Sequence, residues 1–280
     1  EDDIARGGVA GAGADDGVIL VDTMRDGWWG RALEAAIREV TDKPVTTIIN
    51  TNSHRPHSGN NPLFAKEGVV VVAHEQTRSR LQDRDNFQGA NAQHLPQTTF
   101  RDRLTLMRGK ERIDLHYFGP SNTDGDAWVV FPSRRIMHVG DIVKVDEMFE
   151  IILADGGSGV AYGQTMERAL ATIKDVDLIV AGHIADDNAP PTLKWSELGA
   201  YRKKADVLVD VVRKAMASTD NVDAVVSIVR ADDRFSHYDP GHVSDAVRAL
   251  FTELAAARPS SRGLGREAFS LPGALLASRR

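Results

Sequence analysis

The chain has 280 residues, of which 42% are hydrophobic and 26% charged, with a formal net charge of −6. A chain of this length buries a substantial core, and an acidic balance with no concentrated basic surface argues against nucleic acid as a partner. It contains no Cys, which excludes disulfides, thiolate nucleophiles and Cys-ligated zinc and leaves His, carboxylate and amide side chains as the available metal ligands.

A Gly-rich opening and the turn signal Asp15-Asp16-Gly17 lead into Val18-Ile19-Leu20-Val21-Asp22, an apolar run that reads as a buried strand. Leu33, Ala36, Ile37 and Val40 predict a helix over 30–40 with one apolar stripe. Trp28-Trp29 before it read as cover for the helix–sheet junction, with an apolar wall at a site mouth as the other use. Pro44 breaks the pattern, and the β-branched stretch 45–51 reads as a strand, so Asn52-Ser53-His54-Arg55-Pro56-His57-Ser58-Gly59-Asn60 falls in the loop at its carboxyl end. A short helix over 61–66, stopped by Gly68, precedes strand 69–73.

His74 starts the next helix and reads as structural. The alternating charges Arg78, Arg80, Asp83, Arg84 and Asp85 suit a solvated helix end. The polar segment 84–97 reads as a surface loop and a candidate lid or substrate edge. Strands are expected near 103–107, 112–118, 127–131 and 135–139, with His116 and His138 on them as packed side chains or pocket lining. Gly156-Gly157-Ser158-Gly159 marks a loop before helix 164–174 and strand 177–181. Helices over 196–217, 222–229 and 240–257 form the last third, with His237 and His242 solvated before the final one.

This organisation reads as a single domain over 1–258, with a helical extension from about 196 and a loosely packed tail over 259–280. No apolar run reaches the roughly 18–20 residues of a membrane span. The chain starts at Glu1 without a signal-peptide pattern, so the expectation is a soluble, processed or trimmed product, either cytoplasmic or exported with its signal removed.

Four segments, in order, resemble the metallo-β-lactamase-fold hydrolases. Asn52 to His57 matches that family's H-x-H-x-D-H loop, with Asn52 for the first His and Pro56 for the Asp. Gly119 to Asp126 matches G-x-x-H-T-x-G-D, with Asn122 for the ligand His. Val139-Gly140-Asp141 matches the strand-end G-D, and Ala181-Gly182-His183 matches the last G-H. Asp22 matches a structural Asp that steadies the signature loop. The resemblance covers about residues 8–215 and implies a four-layer αββα sandwich carrying a helical extension.

Carried over position by position, the family's first metal site becomes Asn52, His54 and Asn122. Two imidazoles are exchanged for weakly donating amides, so this site is expected to be empty. The second site keeps His57, Asp141 and His183, two imidazoles and a carboxylate, enough for one Zn²⁺ or Fe²⁺. The resemblance implies cleavage of an ester, lactone, amide or thioester of a small molecule by metal-activated water, with Asp141 at the centre and His54 carrying a proton.

Two other readings stay open. One is a relic pocket that binds no metal in a catalytically inactive binding protein. The other is a metal-free acid–base site in which His54 titrates near its ordinary value of about 6.5 and Asn52 and Asn122 donate to an oxyanion.

Overall fold

A computed structural model of the chain describes residues 10–14, 17–107, 112–184 and 192–258. The expected tail at 259–280 lies outside them, as does the start of the Gly-rich opening. In chain order the first half comprises β1 (Ala10–Ala14), β2 (Gly17–Val21), α1 (Trp28–Val40), β3 (Val45–Asn50), α2 (Arg55–Ser58), α3 (Asn61–Phe64), β4 (Val70–His74), α4 (Glu75–Gln82), β5 (Thr98–Phe100) and β6 (Arg103–Leu106). Then come β7 (Ile113–His116), β8 (Trp128–Phe131), β9 (Ile136–His138), β10 (Lys144–Val145), α5 (Gly159–Thr172), β11 (Leu178–Val180), β12 (His183–Ile184) and β13 (Thr192–Lys194). The chain closes on α6 (Leu198–Met216), α7 (Val222–Arg230) and α8 (Pro240–Ala256).

The first sheet has the order β1-β2-β3-β4-β5, parallel from β2 to β5 with β1 antiparallel at its edge. The second runs β13-β11-β9-β8-β7-β6 and is antiparallel except where β9 meets β11. Successive strand side chains point to opposite faces, and this alternation separates the layers. Leu20, Ile48 and Val71 pack outward under Leu33 of α1 and Phe64 of α3. Their neighbours Ile19, Val21, Ile49 and Val72 point inward and meet Ile113, Leu115, Val129 and Phe131 of the second sheet. On that sheet's far face Trp128, Val130, Met137 and Ile179 are covered by Tyr162 and Met166 of α5, Leu208 and Val212 of α6, Val229 of α7 and Val247 of α8. The resulting order of layers is α, β, β, α, as expected, and the C-terminal helices are continuous with the outermost one.

Several local expectations change. Part of the Gly-rich opening forms β1, paired along its length with β2. The segment 84–97 is two 3₁₀ turns pinned by Phe87 and Leu95, which bury against Leu81, so it is a packed shelf rather than an open lid. The arginines around α4 are not a solvated end: Arg80 pairs with Asp124 at 2.7 Å, Arg84 with Asp155 at 2.5 Å, and Arg78 donates to the Pro96 carbonyl. Trp29 packs on the α1 cluster, while Trp28, stacked on it at 4.0 Å, stays half-exposed. His74 caps α4 through its ring, donates Nε2–H to the Arg101 carbonyl at 2.8 Å and stacks on Tyr117, a structural role.

Candidate metal centre

The centre is assembled from loops at the carboxyl ends of β2, β3, β9 and β11. Behind it sits Asp22, fully buried and held at a φ of 64°, in the left-handed region where non-glycine residues are uncommon. Its carboxylate accepts from Thr51 N and Thr51 Oγ1, both at 2.7 Å, and meets His57 Nδ1 at 2.7 Å. Three partners for one buried carboxylate explain why the conformation is kept. The signature loop is further fixed by reciprocal amide bonds between Asn50 and Asn61, at 2.7 and 3.0 Å, and by Asn50 Nδ2 donating to the His57 carbonyl at 2.9 Å.

With Nδ1 taken by Asp22, His57 turns Nε2 toward Asp141, 3.0 Å from Oδ2. His183 Nδ1 approaches the other oxygen, Oδ1, at 2.6 Å. Two glycines make this meeting possible. Gly140 has a φ of 51°, and a Cβ on Gly182 would lie 2.6 Å from the Gly140 carbonyl carbon, so only glycine lets these strand ends approach.

One ligand atom each from His57, Asp141 and His183 lies within 4.8 Å of the other two. Despite the short distances, the ring nitrogens are not aligned for hydrogen bonds to the carboxylate. His57 Nε2, His183 Nδ1 and Asp141 Oδ1 are therefore buried without hydrogen-bond partners among the described residues. Ligands about 2.0–2.1 Å from a tetrahedral ion stand about 3.3 Å apart, so two imidazoles and a carboxylate at these spacings fit one divalent ion. The Asp22 contact to His57 is the outer hydrogen bond that fixes such a ligand's tautomer.

The other half of the pocket is arranged differently. Asn52 is used at both ends: Nδ2 donates to Asp141 Oδ2 at 3.0 Å, and Oδ1 accepts from His54 N at 2.9 Å. Asn122 Nδ2 donates to the Glu150 carbonyl at 3.2 Å, leaving its buried Oδ1 without a partner among the described residues. Each amide nitrogen thus spends one of its two N–H groups on an acceptor within the protein. Pro56 lies half-buried in the first turn of α2 and presents no polar side-chain atom. His54 stands between two carboxylates, with Nδ1 3.2 Å from Asp141 Oδ2 and Nε2 3.1 Å from Asp155 Oδ2.

Electrostatics follow from this layout. Burial opposes a charge on His54, but the carboxylates of Asp141 and Asp155, 3.2 and 3.1 Å from its two nitrogens, outweigh it and push the pKa up to about 9, not the ordinary value expected from the sequence. Burial likewise opposes a charged His57, and Asp141 and then Asp22 override it, raising its pKa well above the usual value. Asp141 is held well below the usual carboxylate range: burial works against it, while His57 and His183 prevail.

Two neighbours escaped the sequence reading. Asp155 directly precedes the Gly-rich loop, and only an acidic residue at the entrance to that loop marks it. Lys144, three residues after Asp141, is buried with Nζ 2.9 Å from Glu150 Oε2, and beside its burial the charge of Asp141 is the next largest influence on it. Its signal was one Lys in an otherwise apolar run. His116 stacks on Phe118, and His138 Nδ1 accepts from Gly140 N, so both are packed strand histidines. His237 and His242 are exposed.

The sequence matches the family described as the metallo-β-lactamase superfamily over residues 10–183. A 139-residue stretch, 49% of this chain and 42% of the relative, is 30% identical to 2,4-dinitroanisole O-demethylase subunit alpha of Nocardioides sp. (strain JS1661), so the match spans less than half of that protein. A metallo-beta-lactamase type 2 of Elizabethkingia meningoseptica is 26% identical over 72% of this chain and 75% of its own length. Among solved structures, a metallo-beta-lactamase from Pontibacter korlensis superposes with a TM-score of 0.60 at 20% identity, covering 71% of this chain and 86% of that one, which speaks to the fold alone. The sandwich, the strand-end cluster and a match across more than half of the sequence agree: the chain belongs to the metallo-β-lactamase superfamily.

Proposed function

We propose that the chain is a hydrolase holding at most one divalent metal, zinc or iron, on His57, Asp141 and His183, and that it cleaves an ester, lactone, amide or thioester of a small molecule. The observation that carries this reading is that those residues bring one ligand atom each within 4.8 Å of one another, with His57 Nε2, His183 Nδ1 and Asp141 Oδ1 buried and without a hydrogen bond among the described residues. A buried polar atom without a partner costs about 1–3 kcal/mol, and three in one place make sense if an ion is meant to join them. When bound, the ion would supply Lewis acidity and lower the pKa of water toward about 7.

The chain's own residues have separate tasks. Asp22 fixes the His57 ring, and Asp141 supplies the negative charge that keeps the centre from repelling a proton or a cation. His54, the one imidazole outside the trio in this pocket, holds a proton between Asp141 and Asp155. In its charged form it serves as the acid for a departing group. The O-demethylase relative adds methyl aryl ethers to the bonds worth testing.

Metal analysis of the purified full chain, paired with turnover of an ester, lactone, amide, thioester and aryl ether panel before and after chelation, tests the reading. About one equivalent of metal in the wild type, lost in His183→Ala, together with chelator-sensitive turnover, is expected. Less than about a tenth of an equivalent, unchanged by zinc incubation, would leave a metal-free binding protein as the better account.

A further inference from the structure

We propose that Arg84, acting through Asp155, stands in for a metal ion beside His54 and keeps that half of the pocket closed to a second cation. The proposal rests on the one-metal reading above. The amides at 52 and 122 would suggest that this half simply lost its ligands, yet a carboxylate has entered it from a different loop. Asp155 Oδ2 lies 3.1 Å from His54 Nε2, a buried atom that makes no hydrogen bond among the described residues. An imidazole and a carboxylate at this spacing are donors that a divalent ion could use.

The same carboxylate oxygen is already engaged. Arg84 NH2 lies 2.5 Å from Asp155 Oδ2. Arg80 braces the surrounding turn, donating NH1 to the Ala154 carbonyl at 3.0 Å and pairing with Asp124, whose backbone N–H in turn donates to the Asp155 carbonyl at 3.0 Å. Both arginines come from α4 or the residues just after it, a helix outside every signature segment. A metal about 2.0–2.2 Å from Asp155 Oδ2 would have to share that oxygen with a guanidinium that stays charged at all physiological pH values. Like charges a few ångströms apart at a partly buried carboxylate repel strongly. Through Asp155, the guanidinium does for His54 what an ion would do: it holds a negative oxygen against the ring and fixes which nitrogen faces Asp141.

Zinc titration by calorimetry, with bound metal measured after dialysis, tests this on the full chain. The variants are Arg84→Met, which keeps the aliphatic stem, Arg84→Lys, which keeps the charge, and Arg84→Met combined with Asp155→Ala. Wild type and Arg84→Lys should take up about one equivalent, Arg84→Met a second and weaker one, and the double variant should return to one. Arg84→Gln replaces Arg84→Met under the same criteria if the latter fails to fold. Unchanged stoichiometry in Arg84→Met, or two equivalents already in the wild type, overturns the proposal. If the wild type binds no metal, the one-metal reading fails by itself. Even then, an equivalent gained by Arg84→Met and lost with Asp155→Ala supports the role of Arg84, and its absence refutes it.

Discussion

The two halves of the pocket differ in how far the protein partners their polar atoms. On the His57, Asp141 and His183 side, one ligand atom from each residue lies within 4.8 Å of the others, and His57 Nε2, His183 Nδ1 and Asp141 Oδ1 make no hydrogen bond among the described residues. On the Asn52, His54 and Asn122 side, Asn52 spans Asp141 and the His54 backbone and His54 Nδ1 meets Asp141, while His54 Nε2, 3.1 Å from Asp155, and Asn122 Oδ1 make no hydrogen bond among the described residues. Replacing an imidazole with an amide therefore does more than remove a ligand. It supplies an N–H that donates to Asp141 Oδ2, so Asn52 is held by internal bonds at the position where the resemblance puts a ligand.

The largest expected effect tests the carboxylate common to both halves. Asp141→Ala removes the carboxylate that His54, His57 and His183 share, leaving Asp155 and Asp22 as the acidic neighbours of His54 and His57, and should cost about 3–5 kcal/mol in urea denaturation of metal-stripped protein as well as abolishing metal uptake. A cost within ordinary surface-mutation scatter would mean the two halves are not joined through this residue.

Next is the pH dependence of the His54 half. In metal-stripped protein the His54 pKa of about 9 lies above the unfolded value. The folded state therefore binds the extra proton between the two values, and its stabilisation is complete below about 6.5 and lost as pH rises through about 9. Unfolding midpoints over that range should fall by an amount worth up to about 3 kcal/mol, and His54→Gln should flatten the slope. An equally steep slope in the variant would assign the proton elsewhere.

On the His57 half, Asp22→Asn keeps the shape but weakens the hold on His57 Nδ1, and should reduce zinc affinity about 10–100-fold without changing stoichiometry. Competition with a chromogenic chelator reads this directly, and unchanged affinity would show that Asp22 serves only the backbone. The smallest effect is expected for Asn52→Ala, which removes two hydrogen bonds, about 1 kcal/mol each, and should leave metal content intact. Loss of metal in this variant would merge the halves that the account separates.

How much of this the sequence carried depends on the range of the interactions. The central strands were legible because residues such as Ile48 and Ile49 alternate between two buried layers, which writes a continuous apolar run into the chain. β1 was not, since Ala and Gly carry no periodicity and its pairing with β2 supplies the order. His57, Asp141 and His183 were readable from motif position, and the geometry brings them together. The environment of His54 was not readable, because its partner Asp155 lies about a hundred positions away on a turn set by arginines of α4. Phe87 and Leu95 were too sparse in a polar stretch to announce a packed shelf.

The account's central claim is that a single ion belongs between His57, Asp141 and His183. Anomalous diffraction at the zinc edge, from crystals of the full chain grown with zinc, tests it most directly. The account predicts one peak bounded by those three side chains, with none beside His54 and Asp155. A peak on the His54 side, or no peak within reach of His183, would contradict it.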